Sequence, residues 1–471
     1  MENNNEKNFL EKNKLFKNFL EKHFFYDFRD NKGLIEFFIK SQCPKNCAYC
    51  YLKKHGKELY PYELQSDENI LKNIELLCNW YKENQFTAPI EIFSGEIITN
   101  GLLFKVLDKM YNVFSEEFLI YKPSDIIIPE NGDFLEDIEL TKKVNQYIKK
   151  FKEIDITIFF SLSVDGKYMD KNRTTRNDEY YKRAINFCNE NVFAFHPMIS
   201  AFNIDKWIDN YDWWNSEEVV PAISDHMMTL EVRDNNWTEE KISEYLKFID
   251  HVIVKEFEKC FNDPDLFTQR LIGVDYYPEK GYYLIGYNQN SSNEKDYKRH
   301  GLTCGITHTL HIRVGDLNII PCHRLSYEQF IVGQMIVKDN KILDYEVKNL
   351  EILTSILSWS STNGPKCGNC EIRHWCLGPC LGSNFENSGN LFMPPDSVCQ
   401  LFKAKFIFQM MKFQELGLFP YFEKYLPEDQ YKTLMEYAEI INRKFENYGQ
   451  YYHDKIDDCK KQGLPLTELR I

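Results

Sequence analysis

Short unbroken apolar runs alternate with longer stretches in which apolar residues return every three or four positions, and this rhythm fills the chain from residue 34 to about 235. The runs predict strands, and the 3.6-residue recurrence predicts helices with one buried face. Strands fall at Leu34–Ile39, Ile90–Phe93, Asp125–Ile128, Ile156–Ser161, Val192–Met198 and Met227–Val232. Helices fall near 64–84, 101–115, 134–152, 178–190, 204–216 and 237–256. Six strand–helix repeats predict an α/β protein with a parallel sheet, closed into a partial or full barrel or left open and doubly wound. In each case the chemistry belongs beyond the C-terminal ends of the strands. Ahead of this region Phe9, Leu10, Leu15, Phe16, Phe19 and Leu20 recur at helical spacing, which predicts an amphipathic lead-in. Behind it come an irregular connection over 260–300, a hairpin pairing His308–Val314 with Leu317–Pro321, and a helical tail from about residue 400. No internal repeat is present.

Composition narrows the class. The 471 residues suit two to four domains, and 43% hydrophobic with 27% charged residues describes a soluble globular protein. A formal net charge of −14 opposes general binding to a nucleic-acid backbone, which needs a positive field. No 18-residue apolar run and no apolar signal segment occur, so no membrane association and a cytoplasmic location are expected. Disulfides are rare in that compartment, and the fourteen cysteines call for another role.

Their spacing supplies one. Cys43-x3-Cys47-x2-Cys50 follows the first strand, and Cys367-x2-Cys370-x5-Cys376-x3-Cys380 comes late, with Cys399 downstream and Cys304 and Cys322 upstream. Cys78, Cys188, Cys260 and Cys459 stand apart as small hydrophobes or casual thiols. Closely spaced thiolates on one loop suit iron–sulfur clusters or zinc. Three of them leave a structural zinc site one ligand short, unless a distant residue such as His55 completes it. A three-cysteine cubane instead keeps one iron free for a small molecule. Further strand-end loops carry Ser94-Gly95-Glu96, Asn131-Gly132 and Ser163-Val164-Asp165-Gly166.

The first cysteine loop, with Tyr49 before its last cysteine, resembles the signature of the radical S-adenosylmethionine (SAM) enzymes. Ser94-Gly95-Glu96 resembles that family's Gly-Gly-Glu, and Ser163-Val164-Asp165-Gly166 its Ser-x-Asp-Gly after the fourth strand. The Cys304–Cys399 set resembles the SPASM extension, which holds auxiliary clusters in peptide-modifying members. The resemblance implies a partial (β/α)6 TIM-like barrel over 34–258, flanked by a helical extension at 1–33. It further implies a connection at 259–303, a cysteine-rich α+β SPASM domain at 304–400 and a helical region at 401–471. It implies three [4Fe–4S] clusters and SAM as cofactors. Cys43, Cys47 and Cys50 would hold the SAM-binding cluster, with Tyr49, Ser94, Gly95, Glu96, Ser161 and Ser163 around the cofactor. Cys367, Cys370, Cys376 and Cys399 would hold one auxiliary cluster, and Cys304, Cys322 and Cys380 the other. That last set either leaves an open iron or recruits His308 or His311.

On substrate, the resemblance implies a peptide maturase that forms a thioether or carbon–carbon crosslink in a ribosomally made peptide. The alternatives are a sulfatase-maturating, formylglycine-forming enzyme, a radical enzyme acting on a small molecule, and a non-enzymatic electron-transfer protein. Sulfatase maturation places an aspartate directly after the cysteine of Pro-Cys-Asp. This chain has His323 there, in Pro321-Cys322-His323-Arg324, and an imidazole also accepts protons near neutrality. A peptide or protein substrate, a reductant such as flavodoxin or ferredoxin, and a separate leader-peptide-binding protein are the partners implied. Only 42 residues precede Cys43, too few for a built-in winged-helix leader domain.

Overall fold

A computed structural model describes residues 2–116, 119–168, 176–191, 194–216, 234–260, 308–359 and 380–415 without a break, with shorter pieces between them and onward to residue 439. The chain forms two compact units, each assembled from separated segments. The first takes residues 1–164, 177–194 and 304–358, and the second takes residues 165–176, 195–303 and 359–471.

The first unit is built on a mixed sheet. Strands β1 (Leu34–Phe38), β2 (Ile90–Phe93), β3 (Asp125–Glu130) and β4 (Thr157–Leu162) lie parallel in that order, with the short β5 (Ala194–Phe195) beyond β4. The first four strands agree with the sequence pattern to within two residues at each end. On the other side of β1 the sheet continues with β6 (Thr309–Arg313), β7 (Asn318–Ile320), β8 (Gly333–Lys338) and β9 (Lys341–Val347). Strand β6 runs parallel to β1, placing His311 opposite Glu36, whereas β7, β8 and β9 are antiparallel to their neighbours. The β6–β7 hairpin was legible in the sequence. Its docking onto β1 was not, because strand pairing across more than 270 residues leaves no local periodicity.

Helices Asp67–Glu83, Leu102–Phe114 and Ile138–Lys152 follow β1, β2 and β3. Ser66 caps the first by accepting from the Asn69 amide at 3.2 Å, and Asp137 caps the third by accepting from Glu139 and Leu140. The first buries Ile70, Ile74, Leu77, Trp80 and Tyr81. The Trp80 indole N–H donates to the Tyr345 hydroxyl at 2.8 Å, joining this helix to β9, while Phe25 and Phe86 pack edge-on against the same indole. The lead-in is helical over Glu2–Leu20 and buries Phe16 and Leu20. Leu10 and Leu15, expected on the same apolar stripe, are exposed. Phe16 fills the space above Gly333, where an added Cβ would lie 2.4 Å from its ring.

In the second unit, helix Glu239–Cys260 packs on helix Asp396–Glu415. Tyr245, Ile249 and Ile253 share one core with Leu401, Phe402 and Phe406. Within the expected strands Val192–Met198 and Met227–Val232, the described residues form β5 and a parallel pair, Met198–Ile199 with Leu230–Glu231. Residues 192–193, 220–229 and 232–233, and nearly all of the 260–300 connection, lie outside the described residues. Among the described residues no helix is long and apolar enough to cross a membrane.

Candidate active site

The loop that leaves β1 is anchored before its cysteines begin. Ser41 donates its amide to Gln65 Oε1 at 3.0 Å and its hydroxyl to the Gly56 carbonyl at 2.7 Å, and Gln65 Nε2 donates back to Ser41 Oγ. Cys43, Cys47 and Cys50 then follow as half-buried cysteines, Cys50 at the mouth of helix Tyr51–Leu59. The Ser94-Gly95-Glu96 loop lies directly on them. Gly95 donates to the Lys40 carbonyl at 2.8 Å and Glu96 to the Gln42 carbonyl at 3.3 Å. A Cβ on residue 95 would stand 2.0 Å from the Gln42 oxygen and 2.9 Å from Cys43 Cβ, so only glycine permits this approach. Ser94 Oγ is turned to the Lys40 carbonyl. Burial pushes the Cys43 thiol up to about 11, and Cys50, Cys47 and Glu130 add to the effect. Three closely spaced cysteines on one anchored loop fit a cationic cluster that takes them as thiolates.

Two buried carboxylates adjoin the loop. Glu96 accepts from the Ile98 amide at 2.8 Å, from the Thr99 amide at 2.9 Å and from the Thr99 hydroxyl, so part of its capacity is spent on its own turn. Glu130, at the end of β3, is almost fully buried and accepts from the Asn131 amide at 2.9 Å. Burial, then repulsion from Glu96, raises its pKa well above the carboxylate range. Two such acids favour a shared cation. The sequence reading named Glu96 and the Asn131-Gly132 loop but passed over Glu130, whose signal was an acid closing an apolar strand.

Strand register places the remaining first-unit candidates. Glu36 pairs with His311 and Glu91, Glu91 with Ile127, and Ile127 with Phe159. Alternation along β2 and β4 then sets Phe93 and Ser161 on the face of Glu36. Ser163 lies just past β4, its amide donating to the Glu130 carbonyl at 2.6 Å, and Tyr49 is half-buried within the cysteine loop. Asp165 and Gly166 belong to the second unit. Asp165 is fully buried and accepts from Arg173 at 3.0 Å and the Met198 amide at 2.8 Å, a structural use.

On this face stands a group that the sequence revealed only in part. His323 Nδ1 lies 2.7 Å from Glu36 Oε2, and His311 Nδ1 lies 3.0 Å from Glu36 Oε1. The His323 ring stacks on Phe93 at 4.0 Å and 12°, with Tyr51 nearly parallel at 5.9 Å. Burial alone would raise the Glu36 pKa, but His323 and His311 outweigh it and hold the carboxyl well below its usual range. Burial acts most strongly on His323 and lowers it, but Glu36 and Glu91 together hold the imidazole above its ordinary pKa. Burial also raises the Tyr51 hydroxyl, and the fields of Cys50, Glu36 and Cys322 act on it together, so the first cysteine loop and this group share one neighbourhood. Glu36 was missed, although it is the one charged residue within the apolar run Leu34–Ile39.

Of the auxiliary candidates, Cys322 follows β7 in the first unit. His308, just before β6, is exposed, and His311 within it is buried. In the second unit burial pushes Cys367 up to about 11, and the fields of Cys399 and Cys370 add to it, so these three thiols are neighbours. Cys380 caps helix Leu381–Ser388, its sulfur accepting from the Ser383 amide at 3.5 Å. Cys304 and Cys376 lie outside the described residues. Cys78 and Cys188 are fully buried.

No protein-family model matches the chain. Over 388 residues it is 24% identical to the radical SAM cyclopropyl synthase TigE of Paramaledivibacter caminithermalis, covering 78% of this chain and 72% of that protein. Among solved structures it is similar to native anSMEcpe with bound AdoMet and Cp18Cys peptide, with a TM-score of 0.52 and 14% identity over 81% of this chain and 98% of that one. Native anSMEcpe with bound AdoMet gives a TM-score of 0.53 at the same identity and coverage. Likeness at this identity establishes a shared fold.

Proposed function

We propose that the chain is a radical SAM enzyme with a SPASM-like C-terminal region, a reading supported by its relative and its shared fold, and that it removes a hydrogen atom from a residue of a peptide or protein and completes a two-electron oxidation there. The observation that carries this reading is an oriented imidazole, His323, stacked on Phe93 and on Tyr51, the residue that follows Cys50. Cys43, Cys47 and Cys50 hold the first cluster in this reading. When bound, that cluster and SAM supply a 5'-deoxyadenosyl radical as the hydrogen-atom acceptor. Glu96, with Glu130 beside it, receives the methionine ammonium through charge-assisted hydrogen bonds. Ser161, Ser163 and Tyr49 bound the remainder of the cofactor, and the close Gly95 contact keeps its loop in place. His323 stands where the departing proton is lost, acting directly or through what it binds. Cys367, Cys370, Cys376 and Cys399, and separately Cys304, Cys322 and Cys380, hold two auxiliary [4Fe–4S] clusters in the proposed SPASM domain.

Two finer readings share this chemistry. Residue oxidation of the sulfatase-maturating kind has the better support, because the fold is shared with an enzyme solved with AdoMet and a peptide. Bond formation within a peptide, as a crosslink, is favoured by the sequence relative named as a cyclopropyl synthase. Both call for a peptide substrate and for loss of one hydrogen atom, one proton and one electron, the last passing to a one-electron carrier such as an oxidised flavodoxin or ferredoxin. The test is anaerobic reconstitution followed by assay of 5'-deoxyadenosine. Changing Cys43, Cys47 and Cys50 together to Ala should abolish SAM cleavage while about eight of roughly twelve irons remain. Cleavage retained in that variant would overturn the assignment.

A further inference from the structure

We propose that Glu36, His311 and His323 form a mononuclear site for a divalent transition metal, separate from the cysteine sites. One ligand atom from each of the three side chains lies within 4.8 Å of the others. The two carboxylate–imidazole separations, 2.7 and 3.0 Å, approach the spacing of about 3 Å between neighbouring donors around a metal bound at about 2.0–2.2 Å. Two imidazoles and one carboxylate suit zinc or ferrous iron rather than calcium or magnesium, which prefer all-oxygen shells. Such a set leaves coordination positions open to water or to a substrate donor.

Burial and partnering both point to a missing ligand. Glu36 is 2% exposed and His311 is 5% exposed. Glu36 Oε1 and both ring nitrogens of His311 are buried without a well-formed hydrogen bond. His311 Nδ1 has only the Glu36 carboxylate beside it, and a buried Nε2 with no hydrogen-bond partner is costly unless something occupies the space it faces. The third donor is held ready, since the His323 ring is stacked on Phe93 with Tyr51 alongside. Charge is consistent as well. Glu36 and its register neighbour Glu91 bring two negative charges to this part of the sheet, and Glu91 acts on His323 electrostatically. Two strands and the turn after a third converge to make the group: Glu36 comes from β1, His311 from β6, and His323 follows β7.

Zinc is the probe, because the cluster iron does not obscure it. The untagged, cluster-loaded protein is equilibrated anaerobically with zinc, dialysed, and analysed for zinc, iron and sulfide; zinc X-ray absorption then reads the ligand shell. One zinc per chain is expected, with a nitrogen/oxygen shell at about 2.0–2.1 Å and no sulfur at about 2.3 Å. Glu36→Gln and His311→Asn should each weaken zinc binding at least ten-fold with iron and sulfide unchanged. Should either variant fail to fold, as iron content and circular dichroism would reveal, His323→Gln takes its place. No retained zinc, zinc with a sulfur shell, or nitrogen/oxygen-bound zinc undiminished in the folded variants would each overturn the proposal. The measurement does not depend on SAM cleavage, so its failure leaves the proposed reaction untouched, and the reverse holds too.

Discussion

Replacing Gly95 with Ala tests whether the Ser94-Gly95-Glu96 loop positions the first cysteine loop. The new methyl would sit 2.0 Å from the Gln42 carbonyl oxygen, 2.6 Å from its carbon and 2.9 Å from Cys43 Cβ. Carbon–oxygen contacts relax at about 3.3 Å, so the two loops must separate by about 1.3 Å. Two of the three obstructing atoms are backbone and cannot rotate away. Separation breaks the Gly95-to-Lys40 and Glu96-to-Gln42 hydrogen bonds, at about 0.5–1.5 kcal/mol each. Residual crowding adds about 1–3 kcal/mol. The expected destabilisation is about 2–6 kcal/mol, read as a lower urea midpoint. A shift of about 1 Å at a reacting centre costs roughly 100-fold in rate, so 5'-deoxyadenosine formation should fall by that order. Gly101→Ala is the control: its φ of +78° strains a side chain, but nothing lies within 4 Å of an added Cβ. It should cost about 1–2 kcal/mol and leave cleavage unchanged. A Gly95→Ala protein with full iron content and cleavage within two-fold of the parent would refute the reasoning.

Arg313 is 1% exposed, pairs with Asp316, and donates to the Leu59 and Ser326 carbonyls at 3.2 and 3.0 Å. Arg313→Met should destabilise by about 3–5 kcal/mol in urea, because Asp316 loses its cation and both carbonyls lose this donor; a change below 1 kcal/mol would contradict that account. His196 is held neutral in the fold, burial and then Arg173 lowering its pKa to about 4. Between pH 6.5 and 4 the unfolded chain takes up a proton that the folded one refuses, so stability should fall with pH across that window by of order 1–3 kcal/mol. His196→Gln should flatten this slope, and an unchanged slope in urea midpoints from pH 4 to 7 would assign it to other groups.

The parallel strands β1 to β4 were legible because each is a short apolar run closed by a loop, and strands buried on both faces carry their signal locally. The segments expected as strands at 192–198 and 227–232 carry the same local signal, and their described residues include the strand pieces Ala194–Phe195, Met198–Ile199 and Leu230–Glu231. Leu10 and Leu15, expected on a buried stripe, are exposed. A helical stripe predicts a buried face only where a neighbour covers its whole length, and here cover reaches Phe16 and Leu20. Among site residues the three cysteines, Glu96 and His323 could be read as motifs. Glu36 and Glu130 could not, because each is a lone acid whose meaning depends on what the fold sets beside it.

Covalent spacing along one loop is a property of the chain itself. The sequence alone therefore determined the cysteine clustering, the strand-end placement of the candidate loops and the resemblance they carry. Tertiary structure decided which distant residues meet. Pairing β6 onto β1 brings His311 opposite Glu36, residues 275 apart, and the turn after β7 delivers His323 to the same carboxylate. Such meetings come from strand register and from loop closure over long separations, whose entropic cost grows only slowly with length, so nothing in the local sequence marks them in advance.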